Sequence, residues 1–580
     1  MNSMLKYLKD YKKESILAPL FKLLEASFEL FVPLVMAAII DRGIANDDKS
    51  YILKLGAVLI MLGVVGLAAS ITAQFFAAKA AVGVSTKIRH GLFEHIESLS
   101  FTTIDKLGTS TLITRITSDI NQVQNGINML LRLFLRSPFI VAGAMIMAFY
   151  VDAKAAIIFV VVIPALSIVV ALIMKVTMPL YKKVQFALDD VLKTTRENIA
   201  GVRVIRAFNM EEDEINTFDT KNENLRNMQV LVGKIAALMN PVTYVIINLG
   251  IMFLIWKGAV SVDAGELTTG QVIALINYMS QILVELIKLA NLIVTVTKAF
   301  ACANRIEDVF AIEPDASFEK DMANGNGIKD YKNDFDKDKF IEFENVGLTY
   351  EGAKEEALSD ISFTVKRGQT VGIIGGTGSG KTSLVHMIPG FYLATRGKVS
   401  IGGIDVKNWD STVLREKIGI VMQKAVLFKG TIKENLLWGS AENTEEDLNR
   451  ALDISQSAEF VAQKEGKLEA MIEQEGRNLS GGQRQRLTIA RALARKPEIL
   501  ILDDSSSALD FATDAKLRKA IRGLGNDTTT FIVSQRTSSI AHADKIIVLD
   551  DGKIIGIGTH EQLLNECDLY REIHNIQVNA

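Results

Sequence analysis

The stretch TVGIIGGTGSGKTSLVHMI, residues 370–388, decides how the second half of the chain is read. A β-rich apolar run leads into a glycine-rich turn, and a helical pattern follows. Gly375, Gly380, Lys381 and Thr382 fit GxxxxGK[ST], the P-loop. The glycines let backbone N–H groups close around an anion at a helix N-terminus, where the helix dipole also favours negative charge. Gly375, Gly376, Thr377, Gly378, Ser379, Gly380, Lys381, Thr382 and Ser383 are therefore expected to hold ATP. Lys381 should reach the β- and γ-phosphates, and the Thr382 hydroxyl should ligate Mg²⁺.

Further on, ILILDDSSSALD, residues 499–510, runs four aliphatic residues into two aspartates. Asp503 ends a strand-like run, the place for a carboxylate that holds the same Mg²⁺. Asp504 stands where a catalytic base would stand.

Working outward, the 580 residues are too long for one ordinary domain, and the halves differ. A mean hydropathy of +0.23 with 49% hydrophobic residues is high for a wholly soluble protein. A bilayer core about 30 Å thick needs about 20 apolar residues in a helix. Six segments qualify, near 16–41, 53–80, 129–150, 155–178, 236–262 and 271–300. Their short joints lean acidic, whereas the connections 81–128 and 179–235 are long, helical in pattern and rich in Lys and Arg. The positive-inside rule puts the long connections and both termini in the cytoplasm of a multi-pass cell-membrane protein. The boundaries expected are a short amphipathic helix on the membrane surface over 1–15, with Met4, Tyr7, Leu8 and Tyr11 at helical spacing; a membrane domain over 16–312; a charged linker over 313–340; and an α/β nucleotide-binding domain over 341–580. A net charge of −3 excludes a basic footprint for nucleic acid. Two cysteines, Cys302 and Cys567, offer neither a disulfide framework nor a CxxC metal site.

Between the two phosphate-site elements stands RNLSGGQRQRLTIARAL, residues 477–493. With LSGGQ, Leu479, Ser480, Gly481, Gly482 and Gln483, the chain resembles the ATP-binding cassette transporters. The resemblance extends to the membrane half, where six spans fused ahead of one cassette look like an exporter half-transporter. It implies that two cassettes pack head to tail, each signature closing on the nucleotide held by the other. By the same resemblance Tyr350 is expected to stack on adenine, and Gln423 to touch the metal and sense the membrane domain. Ser507, Ala508, Leu509 and Asp510 match the loop that crosses between cassettes. TIDKLGTS and NMEEDE are the candidate coupling helices at the tips of the two extensions, the second reaching the opposite subunit. ATP-driven closure would swing the spans from inward-facing to outward-facing.

The chain departs from the family at two positions. Asp504 replaces the glutamate that polarises the attacking water, and Gln535 replaces the switch histidine at the γ-phosphate. A carboxylate about 1 Å short of its target can cost about 10²-fold in rate. A glutamine can donate a hydrogen bond but brings no positive charge to the transition state. With the P-loop and signature intact, the pattern resembles the degenerate half of a heterodimeric bacterial multidrug exporter. Its own site is expected to bind ATP and hydrolyse it slowly, while a second half-transporter carries Glu and His. A homodimer with two weakened sites, moving drugs, lipids or peptides, is the alternative, and a nucleotide-gated regulatory membrane protein is another. Within or beside the spans lie Glu25, Glu29, Arg132, Arg136 and Glu285, which should pair, face a cavity or, for the arginines, snorkel to the interface. The family's default cargo is an amphipathic small molecule.

Overall fold

A computed structural model describes residues 6–314, 328–331, 336–505, 508–525 and 527–579. The chain divides into two compact units, one of Met1–Glu94 with Ser110–Ala311, the other of His95–Thr109 with Ile312–Ala580.

The first unit is helical. Among the described residues, six helices are long and apolar enough to cross a membrane: Lys6–Ile44, Lys49–Glu97, Thr109–Val151, Ala153–Ala207, Glu211–Asp263 and Thr269–Phe310. The 55 residues of Ala153–Ala207 rise to roughly 80 Å at 1.5 Å each, far beyond a bilayer core. The long connections therefore continue as helix instead of forming loops. At the opposite ends the joints are short and capped. Asp152 accepts from the Ala155 N–H at 2.5 Å, and Thr268 forms a capping box with Gln271. Asp41 accepts from the Gly270 N–H at 2.7 Å and from the Thr268 hydroxyl, holding the ends of the first and last spans together. The buried core gathers Leu166, Phe159, Leu254 and Tyr278, whose hydroxyl donates to the Leu30 carbonyl at 2.7 Å. Gly126 is needed for close approach, since a Cβ there would lie 2.2 Å from the Ala299 methyl.

At the N-terminus the aromatic side chains expected on an amphipathic face pack on a neighbouring helix. The Tyr11 ring packs against Gly83 and Tyr7 against Gly91, so the aromatic stripe covers a neighbouring helix. Asp10 pairs with Lys87 at 2.6 Å and Glu14 with Lys79 at 2.9 Å beside it. Periodicity identified the apolar face, and the complementary glycines decide what covers it. Met4 lies outside the described residues.

The second unit is a P-loop α/β fold. Its central sheet runs in the order Lys553–Gly558, Lys545–Asp550, Thr370–Gly375, Thr529–Val533, Ile499–Asp503, Ile418–Val421, parallel except at the first edge. Alternate residues serve opposite faces: Ile499 and Ile501 enter one apolar cluster, Leu500 and Leu502 the other. Both faces of a parallel strand are thus covered, which is why its sequence reads as an unbroken aliphatic run. A second, antiparallel sheet joins Leu358–Val365, Ile341–Leu348, Arg396–Ile401 and Ile404–Asp405. Part of the stretch read as linker packs on this unit. Ile328 bridges to Trp409, and the Tyr331 ring lies 5.4 Å from that of Trp409 and 5.7 Å from that of Phe340. The rest of that stretch, 315–327 and 332–335, lies outside the described residues.

Candidate functional site

The parallel strands Thr370–Gly375, Thr529–Val533 and Ile499–Asp503 end side by side, so the loops that follow them converge. There, Tyr350, Ala357, Thr377, Gly378, Gly380, Lys381, Thr382, Ser383, Gln423, Asp503, Asp504, Val533 and Gln535 line a cavity of about 320 Å³. Gly378 and Gly380 adopt left-handed φ of 85° and 90°. At Gly380 a Cβ would also meet Leu358 Cδ2 at 2.6 Å, so the turn demands glycine twice over. The ammonium of Lys381 folds over its own loop, donating to the Gly375 carbonyl at 3.0 Å and to the Gly376 carbonyl at 2.5 Å.

Below the lysine, the Thr382 hydroxyl donates to Asp503 Oδ1 at 3.1 Å. The other carboxylate oxygen, Oδ2, is buried and has no hydrogen-bond partner among the described residues. Burial raises the Asp503 carboxyl above its ordinary range; Asp504 adds to this, while Thr382 and Lys381 oppose it. A buried, unpartnered oxygen beside a threonine hydroxyl and the Gln423 amide is a donor set suited to a hard cation such as Mg²⁺. Burial also lowers Lys381 from its usual value, opposed by Asp504 and Asp503.

At the rim, the Gln535 amide donates to Asp504 Oδ2 at 3.3 Å. Asp504 has a left-handed φ of 46°, with its N–H bound to the Val533 carbonyl. Burial raises its carboxyl too, against hydrogen bonds from Gln423 and Gln535 and the charges of Lys381 and Arg536. Tyr350 stands at the other side, half-buried, its hydroxyl 2.8 Å from Ser383 Oγ.

The signature is not in this cavity. Ser480 caps the helix Gly481–Ala494, accepting from the Gln483 N–H at 3.2 Å while Gln483 reaches back to the Ser480 N–H. Leu479 is buried beneath, whereas Ser480 and Gly481 are exposed. Gly481 borders a separate cavity of about 510 Å³ with Lys424, Glu475, Arg484 and Ala508. Leu509 is buried, and Asp510 caps the next helix by accepting from Thr513 at 2.9 Å. Ser507 lies outside the described residues.

Sequence reasoning missed the groups behind the metal-binding carboxylate. His386 is buried, its Nε2 unpartnered and 3.7 Å from Asp503 Oδ2. Thr382 and His386 are four residues apart on one helix, so their shared face was the available signal. The His386 ring meets Phe391 edge to face and lies parallel to that of Tyr392. Those two aromatics in turn receive the short helix Phe101–Leu107, which belongs to this unit. Phe101 packs on Phe391 with centroids 4.4 Å apart, Tyr392 donates to Asp105 at 2.7 Å, and Lys106 pairs with Glu351. A continuous set of contacts therefore runs from the Phe101–Leu107 helix to Asp503. The other candidate, NMEEDE, is a turn at Phe208–Met210 opening the helix Glu211–Ala237, with Phe208 largely exposed.

Comparison with known proteins agrees with this geometry. The ABC transporter transmembrane region family matches residues 15–286, and the ABC transporter family matches 358–507. The chain is 36% identical over its whole length to the uncharacterized ABC transporter ATP-binding protein YfiB of Bacillus subtilis, covering 98% of that protein. It is 31% identical over its whole length to the putative multidrug export ATP-binding/permease protein YgaD of the same organism, covering 99% of it. Its fold is that of a solved bacterial Atm1-family ABC exporter with ATP bound, at a TM-score of 0.78 and 21% identity over 98% of both chains. Six apolar helices ahead of a P-loop α/β unit with an LSGGQ signature, and relatives that match from end to end, place this chain in the ABC transporter family, as an ABC exporter with an N-terminal transmembrane domain and a C-terminal ABC ATPase domain.

Proposed function

We propose that this chain is the half of a two-chain exporter that holds ATP at a slow site and lends its signature to a faster one. In this reading it moves amphipathic or hydrophobic compounds across the cell membrane by alternating access, with its N-terminus and ATPase domain in the cytoplasm. The observation that carries the reading is the pair at the rim of the phosphate cavity, Gln535 on Asp504 at 3.3 Å. A base placed by a glutamine is held in its resting position, and neither group delivers positive charge to a γ-phosphate. Lys381, Thr382 and Asp503 keep the groups that bind nucleotide. Mg²⁺, when bound, neutralises phosphate charge; Asp503 and Thr382 supply its oxygens and Gln423 stands beside them.

The presented signature supports a second chain. Among the described residues Gly481 has nothing within 4 Å of where a Cβ would stand, so none of them makes a demand for glycine there. A phosphate approaching from another molecule would make that demand, because it needs the bare backbone at a capped helix N-terminus. Phe208, Ile199 and Val204 lie exposed at the tip of the second extension, a surface suited to a partner's ATPase domain. The name of the multidrug relative supports an amphipathic cargo.

The test is to tag the chain, purify it gently from its native membrane and identify what accompanies it. A stoichiometric half-transporter with Glu and His at the matching positions is the expected result. Recovery of the chain with itself alone would overturn the asymmetric reading.

A further inference from the structure

Three spans of the first unit meet at a polar pocket. Lys22 and Glu25 from the first, Met129, Arg132, Leu133 and Arg136 from the third, and Lys288 from the last line a cavity of about 460 Å³. Its depth follows from counting along the helices. Asp41, Val151 and Thr269 stand at the capped ends, and Lys22, Arg132 and Lys288 each lie nineteen residues away from them. At 1.5 Å per residue that is roughly 28 Å, close to a bilayer core of about 30 Å. The pocket thus sits where hydrocarbon gives way to headgroups, at the end of the spans that leads into the long extensions.

Most of its charges are already paired. Lys22 bonds to Glu25 and Ser70. Arg136 bonds to Glu285 at 2.6 Å and Glu29 at 2.7 Å, and Lys288 to Glu285 at 2.8 Å. Four cations then face three carboxylates, and the surplus is specific. Arg132 forms no ion pair among the described residues, and its Nε is buried without a partner. Arg136 is only 6% exposed, yet its Nε also lacks an acceptor. A snorkelling arginine would put its nitrogens in water. Both arginines instead line a cavity, with Met129 and Leu133 beside them.

We propose that the pocket binds the anionic head, a phosphate or carboxylate, of an amphipathic molecule whose apolar part stays in the membrane; this rests on the exporter reading and narrows its cargo. An acceptor with several oxygens gives the Arg132 guanidinium, which has no ion partner among the described residues, the partner it lacks and neutralises the surplus charge. The position at the headgroup level lets such a molecule enter sideways from one leaflet without carrying its charge through hydrocarbon.

Binding of dodecyl phosphate to the full chain, with whatever half-transporter copurifies, in phosphatidylcholine nanodiscs tests this. Arg132→Gln should weaken it by about tenfold, the scale of one charge-assisted hydrogen bond, and Arg132→Lys by less. Dodecyltrimethylammonium binding should be insensitive to either change. Because Arg132 has no ion pair to break, these variants should fold, and thermal unfolding checks that they do. Unchanged dodecyl phosphate binding in Arg132→Gln overturns the proposal, as does inorganic phosphate binding as tightly as dodecyl phosphate. ATP-dependent uptake of amphiphiles by the unmodified complex is measured in parallel. Uptake together with indifference to Arg132 sinks the pocket and leaves the exporter standing; Arg132-dependent binding without any uptake does the reverse.

Discussion

Two glycine-rich turns open helices in the same ATPase domain, and they are built differently. In Gly375–Lys381 the glycines are required by the chain itself: left-handed at Gly378 and Gly380, and crowded at Gly375 and Gly380. The lysine folds back on its own carbonyls, and Asp503 waits beneath. In Leu479–Gln483 the helix N-terminus is already capped by Ser480, and Gly481 faces open space. One turn is complete as a grip. The other leaves bare backbone that nothing among the described residues uses. Two motifs with the same local physics, a helix N-terminus that favours anions, are thus told apart by what surrounds the glycine.

Substitutions can break that contrast most sharply at the grip. Lys381→Ala should weaken ATP binding by this chain about 100-fold, since a half-buried charged donor to phosphate is lost. Photolabelling with a nucleotide analogue at this chain alone measures it. Undiminished labelling would mean that the loop backbone suffices.

The glycine pair gives the next largest effect and the most direct comparison. Gly380→Ala must strain a φ of 90° and push aside Leu358, so it should lower both stability and nucleotide binding. Gly481→Ala meets no atom and should leave unfolding temperature and this chain's own nucleotide binding unchanged. It should nevertheless cut hydrolysis by the assembled complex about tenfold, because a methyl group enters the space where a facing phosphate would sit. If Gly481→Ala instead weakened this chain's own binding, the signature would be serving its own P-loop.

Much of this architecture was legible because its signals are local. The P-loop, Asp503 and the signature each fit within a score of residues, and the spans announce themselves by length and hydropathy. The contacts of Asp105 with Tyr392 and of Arg136 with Glu285 join residues 287 and 149 positions apart. No periodicity encodes such a pairing. Sequence could offer pairing, a cavity or snorkelling for the intramembrane arginines, and only packing chose: Arg136 is paired and buried, while Arg132 lines a cavity without an ion partner among the described residues. Likewise the aromatic stripe at Tyr7 and Tyr11 was legible as apolar, but its glycine receptors, 84 and 72 residues on, were unremarkable until the fold aligned them.

A smaller effect is expected at the rim of the grip. Asp504→Glu lengthens the base by one methylene but leaves Gln535 in place, so hydrolysis at this site should rise only about threefold. Adding Gln535→His should raise it about tenfold more, by returning a group that can carry charge to the γ-phosphate position. Site-resolved trapping of hydrolysed nucleotide reads both. Full turnover from the single change would show that Gln535 costs the site little.

The smallest effect sharpens what the grip lacks without its ligands. Asp503 is buried, one oxygen has no partner, and burial holds its carboxyl above the ordinary range. A carboxyl raised in the folded state favours folding below the unfolded value of 3.8, and this contribution is lost as pH rises through the folded value. At neutral pH the ionised group therefore weakens the nucleotide-free protein. Asp503→Asn removes that charge at nearly constant volume and should raise the unfolding temperature of the nucleotide-free ATPase domain by about 2–4 °C, the equivalent of about 1 kcal/mol. The gain should shrink as pH falls through the folded carboxyl's raised value, where the native group takes up its proton, and should reverse when MgATP is added, because the amide is a poorer partner for the cation. The calorimetric transition of this domain, followed across pH with and without MgATP, tests both signs. A variant less stable than the parent at neutral pH without nucleotide would mean that His386, 3.7 Å away, already supplies a compensating charge. The glycine-rich grip would then be balanced before ATP arrives.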